Sequence, residues 1–296
     1  MKDPKISVIL IVLNGENFIS EALESVAAQS FDDWELIIVD DGSSDRSREI
    51  ALEFSSRHPF RTRVLEHPEA SNRGMSASRN LGIEHARGMY TTFLDHDDVY
   101  EPEKLACMLA AAERHPNADA VIGPNTMWYS WNGESQSSTD RAQILGVTTE
   151  TVLDPPGMIN GFLSDSSATP LGPLIRTDTL RTLGGYDATF RNMHEDQVFM
   201  VRLMLRHPIV VIDDVLHRYR QHPESCVART HANGRDKQAR YRFLAWMKRE
   251  LASHDSRYPE LDEQIEIQTK ECRGRHGRRA QRILINFRET LTGENP

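Results

Sequence analysis

The sequence predicts an α/β protein: a mostly parallel sheet flanked by helices, followed by a helical C-terminal extension. Three observations carry this. Apolar, β-branched runs at 6–13, 34–39, 62–66 and 89–94 alternate with segments whose apolar residues recur at helical spacing. The first, second and fourth runs end in polar or acidic residues: Asn14, Asp40-Asp41 and Asp95-His96-Asp97-Asp98. Beyond Asn233 only helical periodicity is left.

The bulk numbers bound the class. At 296 residues the chain can bury one large core or two modest ones, and 39% hydrophobic with 27% charged residues is ordinary for a globular protein. A net charge of −9 argues against general nucleic-acid binding. Cys107, Cys226 and Cys272 lie far apart, which fits a reducing compartment and neither a disulfide framework nor a zinc knuckle. The apolar run near the N-terminus is too short to span a bilayer, and no signal-peptide layout is present, so a cytoplasmic protein is expected.

In chain order, Ile6 to Leu13 is a nearly continuous apolar strand, as expected where both faces are covered. Asn14-Gly15 breaks it, and Ile19, Leu23 and Val26 mark the following helix. Trp34 to Val39 is a second buried strand, and Asp40 to Asp45 can turn the chain and cap a helix over 46–56. A third strand (62–66), a third helix (76–86) and a fourth strand (89–94) complete a β-α alternation that predicts parallel pairing. Further on come a helix over 101–114, strands at 120–122 and 126–131, and a polar loop at 132–142. A strand over 171–176 follows, then helices at 177–183 and 195–205, the first stopped by Gly184-Gly185, and short strands at 209–212 and 216–220. Helices at 235–251, 260–271 and 280–291 close the chain.

In open α/β sheets ligands bind beyond the carboxyl ends of the strands, so Asn14, Asp40-Asp41 and Asp95-Asp97 are expected on one rim. In extended backbone, residues two apart project to one side, so Asp95 and Asp97 are expected to point together with Asp98 elsewhere. Paired carboxylates repel unless a cation or proton lies between them, and oxygen ligands suit Mg²⁺ or Mn²⁺. The same stretch also reads as an acidic turn ahead of a helix. No G-x-G-x-x-G follows the first strand and no G-x-x-x-x-G-K-[ST] occurs, so the common phosphate cradles are missing.

Ser7-Val8-Ile9 through Asn14-Gly15-Glu16, with Trp34-Glu35-Leu36-Ile37-Ile38-Val39-Asp40-Asp41-Gly42-Ser43, resembles the opening of family 2 glycosyltransferases. Gly74-Met75-Ser76-Ala77-Ser78-Arg79-Asn80, Phe93-Leu94-Asp95-His96-Asp97-Asp98, Gly184-Gly185-Tyr186-Asp187 and Glu195-Asp196 continue the likeness in order across roughly residues 5–225. The resemblance implies a GT-A fold, Rossmann-like in its nucleotide half, and an inverting, metal-dependent transferase. The donor would be a nucleotide sugar, most often UDP-linked, and the acceptor a hydroxyl of a glycan or lipid-linked saccharide. It further implies that Asn14, Glu16, Asp40, Asp41, Gly42, Arg79, Asp95 and His96 line the nucleotide site, Asp40 and the backbone near Asn14 holding base and ribose. Asp97, with Asp95, would hold Mn²⁺ or Mg²⁺, and Asp196 would be the general base with Glu195 beside it. His222 stands in a stretch similar to the family's Arg-x-His-Pro-x-Ser segment and reads as a third metal ligand, a diphosphate contact or a surface histidine. Glu195-Asp196 also reads as the acidic first turn of a helix. His194 and His217 read as structural or solvent-facing.

Two residues depart from the family pattern: His96 inside the Asp-x-Asp motif and Arg73 ahead of Gly74, each where a small residue is usual. A catalytically inactive nucleotide-sugar-binding scaffold would be expected to have lost carboxylates, yet Asp95, Asp97 and Asp196 are present. A sugar-phosphate nucleotidyltransferase would carry a Gly-rich, Arg-bearing loop after the first strand, which Asn14-Gly15-Glu16 does not supply. The reading divides the chain into a catalytic domain over 1–230 and a helical extension over 231–296. From Glu271 to Arg288 there are six arginines and one acid. A basic amphipathic helix there suits an anionic membrane surface, packing on the catalytic domain, or a homodimer contact.

Overall fold

The computed structural model describes residues 3–133, 139–143, 145–163, 169–191, 193–254 and 256–273. The chain forms two compact units, residues 1–225 and 226–296.

The first unit opens with β1 (Ile6–Val12), α1 (Ile19–Ala27), β2 (Trp34–Asp40), α2 (Ser47–Arg57), β3 (Thr62–Glu66), α3 (Met75–His85) and β4 (Tyr90–Asp95). It continues through β5 (Val99–Tyr100), α4 (Lys104–Arg114), β6 (Ala120–Ile122), β7 (Thr126–Trp128), β8 (Arg141–Ala142), β9 (Thr151–Leu153) and α5 (Ile159–Leu163). It closes with β10 (Leu174–Arg176), α6 (Thr177–Thr182), α7 (Glu195–Arg206), β11 (Ile209–Val211) and β12 (His217–Arg220). The second unit contains α8 (Cys226–Ala232), α9 (Asp236–Ala252) and α10 (Pro259–Arg273). In it α9 and α10 pack together, with Arg240 Nη2 donating to Gln268 Oε1 at 3.4 Å.

Among the described residues the main sheet has the order β3-β2-β1-β4-β10-β6-β11-β9. The β3-β2-β1-β4 half is parallel throughout. The chain winds outward from β1 to β3 and then returns to place β4 on the other side of β1, so the topological switch point lies between β1 and β4. Register fixes what meets there: Val12 pairs with Asp40 and Ile11 with Asp95, so the polar strand ends share one rim.

Every residue of β1 and β2 is buried, which explains their unbroken apolar runs. Ile6, Val8, Leu10 and Val12 pack in one core with Ile19, Leu23 and Val26 of α1, Phe54 of α2 and Met108 of α4. On the other face Ile9 lies so close to Gly82 of α3 that an added Cβ would stand 2.5 Å from it.

The structure departs from the predicted elements where strands are short. β10 runs antiparallel between β4 and β6, and it begins at Leu174 rather than Leu171 because Gly172 takes φ 55° and Pro173 follows it. The strand expected to reach Trp131 ends at Trp128 and passes into a 3₁₀ turn at Ser130–Asn132. Val99–Tyr100, Arg141–Ala142 and Thr151–Leu153 form strands, and Ile159–Leu163 and Cys226–Ala232 helices, that periodicity does not reveal. A second, four-stranded sheet β5-β12-β7-β8 results. The helix expected at 280–291 and its basic face lie outside the described residues.

At the amino ends of the strands, away from the acidic rim, Glu35 is 2% exposed. It accepts Ser7 Oγ at 2.7 Å, the Arg87 amide at 2.7 Å, Arg87 Nη2 at 2.8 Å and Arg63 Nη2 at 3.0 Å. Burial acts to raise its pKa, but the bonds from Arg87 and Ser7 and the charge of Arg63 outweigh it and hold the carboxyl below 4.5. The stability it contributes is therefore present above pH 4.5 and is lost as pH falls through the lowered value. Glu35→Gln is expected to cost about 1–3 kcal/mol at neutral pH. It should also flatten the acid limb of the melting temperature against pH, which thermal unfolding from about pH 3 to 7 measures.

Candidate active site

The loops after β1 and β2 are stitched together by short polar side chains. Asn14, at φ 51°, accepts the Ser44 amide at 2.8 Å through Oδ1, and its own amide donates to Ser43 Oγ at 3.0 Å. The Gly15 amide donates to Ser47 Oγ at 2.8 Å and the Glu16 amide to Asp45 Oδ2 at 3.0 Å. The Glu16 carboxylate accepts the Arg46 amide at the start of α2, so the Asn14 and Glu16 side chains shape the loop. Ser43 and Asp45, expected in the turn and cap, and Ser47, expected in the helix, supply the partners.

Asp40 is 1% exposed. Its Oδ1 accepts the Ser43 amide at 3.1 Å, while its Oδ2 is buried with no hydrogen-bond partner among the described residues. A buried carboxylate oxygen without a donor is costly unless a ligand supplies one. Asp41 is committed elsewhere: it accepts the Arg73 amide at 2.7 Å and the Gly74 amide at 2.9 Å, setting the entry to α3. Gly42 takes φ 84°, and a Cβ there would lie 2.4 Å from the Ala70 carbonyl.

Arg79 of α3 lies at the centre of the rim. Its Nη2 donates to both oxygens of Asp95, at 2.8 and 3.1 Å, and its Nη1 to Glu195 Oε1 at 3.3 Å. Its guanidinium carbon stands 5.1 Å from the centre of the Tyr186 ring. Burial disfavours the charge, but Asp95 and the other neighbouring acids keep the arginine firmly protonated. Asn80 beside it grips Tyr186, accepting the Tyr186 amide at 2.7 Å and donating to its carbonyl at 2.9 Å. A Cβ at Gly185 would come within 2.4 Å of Asn80 Oδ1, so the Ser78-Arg79-Asn80 and Gly184-Gly185-Tyr186-Asp187 stretches are one interlocking unit.

The expectation that Asp95 and Asp97 project together is not met. β4 ends at Asp95 and the chain turns at once, the Asp98 amide closing back on the Asp95 carbonyl at 3.1 Å, so the two-residue alternation of a strand no longer applies. Asp95 goes to Arg79 and Asp97 to His222, whose Nε2 lies 3.0 Å from Asp97 Oδ2. The His222 side chain is 5% exposed, which removes the surface-histidine reading. Burial acts to raise Asp97, but the His222 bond and the charges of His96 and His222 overcome it and hold the carboxyl at about 2. His217 is buried rather than solvent-facing, with Nε2 3.0 Å from Asp98 Oδ2. Burial, with Asp97 and Asp95 nearby, pushes Asp98 well up, and burial with Lys104 pushes His217 well down. Both shifts disfavour the charged forms, so burial works against an ion pair at the His217–Asp98 contact. Lys104, buried over the Tyr100 ring at 4.7 Å, is pulled down to about 7 by its burial.

Among the described residues no three His, Cys, Asp or Glu side chains converge as a ready metal cage. Two ligands on adjacent corners of a Mg²⁺-like octahedron with bonds of about 2.1 Å lie roughly 3.0 Å apart, which matches the Asp97–His222 distance. The carboxylate and the imidazole are donor types that such an ion accepts, here hydrogen-bonded to each other as Asp95 is to Arg79.

Glu195 and Asp196 open α7 behind His194 at φ 65°. Glu195 is 6% exposed and faces Arg79, while Asp196 lines a narrow pocket of about 30 Å³ with Asp95, Tyr186, Gly172 and His217. Asp196 Oδ1 accepts the Gln197 amide at 2.7 Å. Burial raises both carboxyls, and for Glu195 the charge of Asp196 adds to burial, taking it to about 7 against the pull of Arg79. A wider groove of about 710 Å³, lined by Pro124, Thr148 and Asp213, holds none of these groups.

Solved structures similar to this one share its architecture. A 1–349 fragment of S. aureus TarS in complex with UDP-GlcNAc is 20% identical with a TM-score of 0.67, over 91% of this chain and 72% of that one. A Pyrobaculum calidifontis mannosyltransferase in complex with GDP-Man and Mn²⁺ is 17% identical with a TM-score of 0.62, over 100% of this chain and 78% of that one. At such identities the likeness is one of fold, and the fold is that of the GT-A glycosyltransferases. The sequence model of glycosyl transferase family 2 matches residues 7–167, and the chain belongs to that family. Among similar curated proteins, the putative glycosyltransferase EpsE of Bacillus subtilis is 27% identical over 66% of this chain and 64% of its own length. The putative glycosyltransferase EpsH of the same organism is 43% identical over 38% of this chain and 31% of its own. The matches span less than two thirds of these relatives.

Two outcomes are expected. A Cβ at Gly15 would meet His96 Cδ2 at 2.0 Å, so Gly15→Ala should cost about 1–3 kcal/mol in denaturant unfolding. Most of that loss should vanish in the Gly15→Ala/His96→Ala double variant. Because the folded pKa of Glu195 is raised from 4.5, its protonated form stabilises the fold fully below pH 4.5, and that contribution is lost as pH rises through about 7. Glu195→Gln, which cannot ionise, should gain stability relative to the wild type across that window, as melting curves at successive pH values will register.

Proposed function

We propose that the chain is an inverting glycosyltransferase that moves a sugar from a nucleotide-sugar donor, UDP-linked in the first instance, to a hydroxyl of a glycan or lipid-linked saccharide. What carries this reading is the meeting of three elements at one rim: the unpartnered Asp40 Oδ2, the Asp97–His222 pair, and Asp196 in the Arg79–Asp95 pocket. Asp40 would accept an N–H of the base; uracil and guanine each offer one. Asp97 and His222 would hold Mn²⁺ or Mg²⁺, which when bound neutralises charge on the donor diphosphate. Asp95 and Glu195 hold Arg79 in place beside that site.

Asp196 acts as the general base. Its carboxylate takes the proton of the acceptor hydroxyl as that oxygen bonds to the sugar's anomeric carbon, and the bond from that carbon to the phosphate oxygen breaks with its electron pair leaving on the nucleoside diphosphate. Burial makes Asp196 a stronger base than an exposed aspartate, and the Gln197 amide fixes its orientation. The wide spacing of Cys107, Cys226 and Cys272 along the chain agrees with a reducing, cytoplasmic setting. No helix among the described residues is long and apolar enough to cross a membrane. Contact with the inner membrane face, or a homodimer, would fall to the basic stretch after Glu271.

Calorimetric titration of UDP and of GDP, each with and without Mn²⁺, tests the reading. UDP is expected to bind in a Mn²⁺-dependent way, with Asp97→Ala weakening it at least tenfold, about 1.4 kcal/mol. A preference for GDP would keep the site and change the donor. Absence of binding of either nucleotide with Mn²⁺ present would overturn it.

A further inference from the structure

The Asp97-Asp98 turn lies just beyond β4, tied to that strand by the Asp98 amide's bond to the Asp95 carbonyl. A further grip comes from the second sheet. Arg220, the last residue of β12, donates its backbone amide to Asp98 Oδ1 at 3.0 Å and its Nε to the Asp97 carbonyl at 2.7 Å. Its Nη2 donates to Glu21 Oε2 on α1 at 2.5 Å. The guanidinium is caged by three rings, its carbon 4.4 Å from the centre of Trp128 and 5.1 Å from those of Phe18 and Trp131. The cage is itself tied down: Trp131 Nε1 donates to the Gln221 carbonyl at 2.9 Å, and the Phe18 ring lies 4.7 Å from that of His222. Arg220 is 2% exposed.

A buried guanidinium whose directed bonds go to a turn carbonyl and a neighbouring helix, on a residue whose own amide holds the turn carboxylate, does more than fill space. Asp97 is held at both ends from adjacent points of one segment, its carbonyl by Arg220 and its carboxylate by His222. We infer that Arg220, locked in the Phe18–Trp128–Trp131 cage, is the positioning residue that sets Asp97 against His222. It touches neither donor nor acceptor and acts through Asp97. The inference rests on the proposed function only for the consequence that the pair binds a cation; the hold on the turn stands apart from it. A lysine cannot replace this arginine, since it lacks the planar fork that serves Asp97 and Glu21 together while lying flat between rings.

The experiment compares wild type, Arg220→Lys and Glu21→Gln. The last removes a charge on Arg220's far side and serves should the lysine variant not fold. Amide hydrogen exchange is read at Asp98, whose amide bonds to the Asp95 carbonyl, and along β1 and β2. UDP is titrated with and without Mn²⁺. Either variant is expected to speed exchange at Asp98, Arg220→Lys at least tenfold, with β1 and β2 unchanged. Mn²⁺-dependent UDP affinity should fall at least tenfold in Arg220→Lys, while metal-free UDP binding is retained. Unchanged exchange at Asp98, or a loss of protection spread evenly over β1 and β2, overturns the inference, the latter marking Arg220 as merely structural. Faster exchange confined to the turn, in a protein whose wild type binds no nucleotide, leaves Arg220's hold on the turn standing and removes the transferase reading instead.

Discussion

A guanidinium taken out of water must be paired, and Arg79 satisfies that requirement by recruiting carboxylates from two other parts of the chain. Asp95 comes from the end of β4 and Glu195 from the start of α7, 116 residues away from Arg79. The buried charge therefore joins the parallel half of the sheet to the helix that carries Asp196. Asn80, the next residue, adds a second clasp on the Tyr186 backbone. An alanine at position 79 would leave Asp95 and Glu195 facing each other without their shared counterion, which is why this one interaction underlies the geometry of the whole rim.

Beyond Arg79, two adjacent aspartates are driven in opposite directions by their surroundings. Asp97, bonded to His222, is held low, while Asp98, more deeply buried and facing two neighbouring carboxylates, is driven up. One is the low-lying acceptor of the His222 bond. The other is a hydrogen-bonded strut against His217 and the Arg220 amide. The raised pKa of Asp98 works in favour of Asp97, since two carboxylates side by side resist ionising together.

The parallel half of the fold was legible because its strands are buried on both faces and its helices are long enough to show a period. Ile6 to Val12 and Trp34 to Asp40 announce themselves in this way. The rim could be read from the strand ends, and the family motifs named Arg79, Asp97 and Asp196. Of the second sheet, β7 and β12 were expected as strands, but β5 and β8, of two residues each, are shorter than any reliable alternation, and the pairing of all four into one sheet was hidden. With it went the roles of Arg220 and His217, since their partners at Asp97 and Asp98 lie more than 100 residues away. The pairing of Asp95 was misread for a related reason. The two-residue rule assumes extended backbone, and the chain turns immediately after Asp95.

The same reasoning settles how two neighbouring acids at the start of α7 divide their work. Successive residues of a helix point about 100° apart, so Glu195 and Asp196 cannot face one direction. Glu195 turns inward to Arg79 and is buried, whereas Asp196 turns to the pocket that Asp95 and Tyr186 also line. A base must reach a proton on an incoming hydroxyl, and a carboxylate shut against a guanidinium cannot. The charge of Asp196 in turn adds to the burial that raises Glu195, so two acids adjacent in sequence meet different surroundings, one paired with Arg79 and the other open to the pocket.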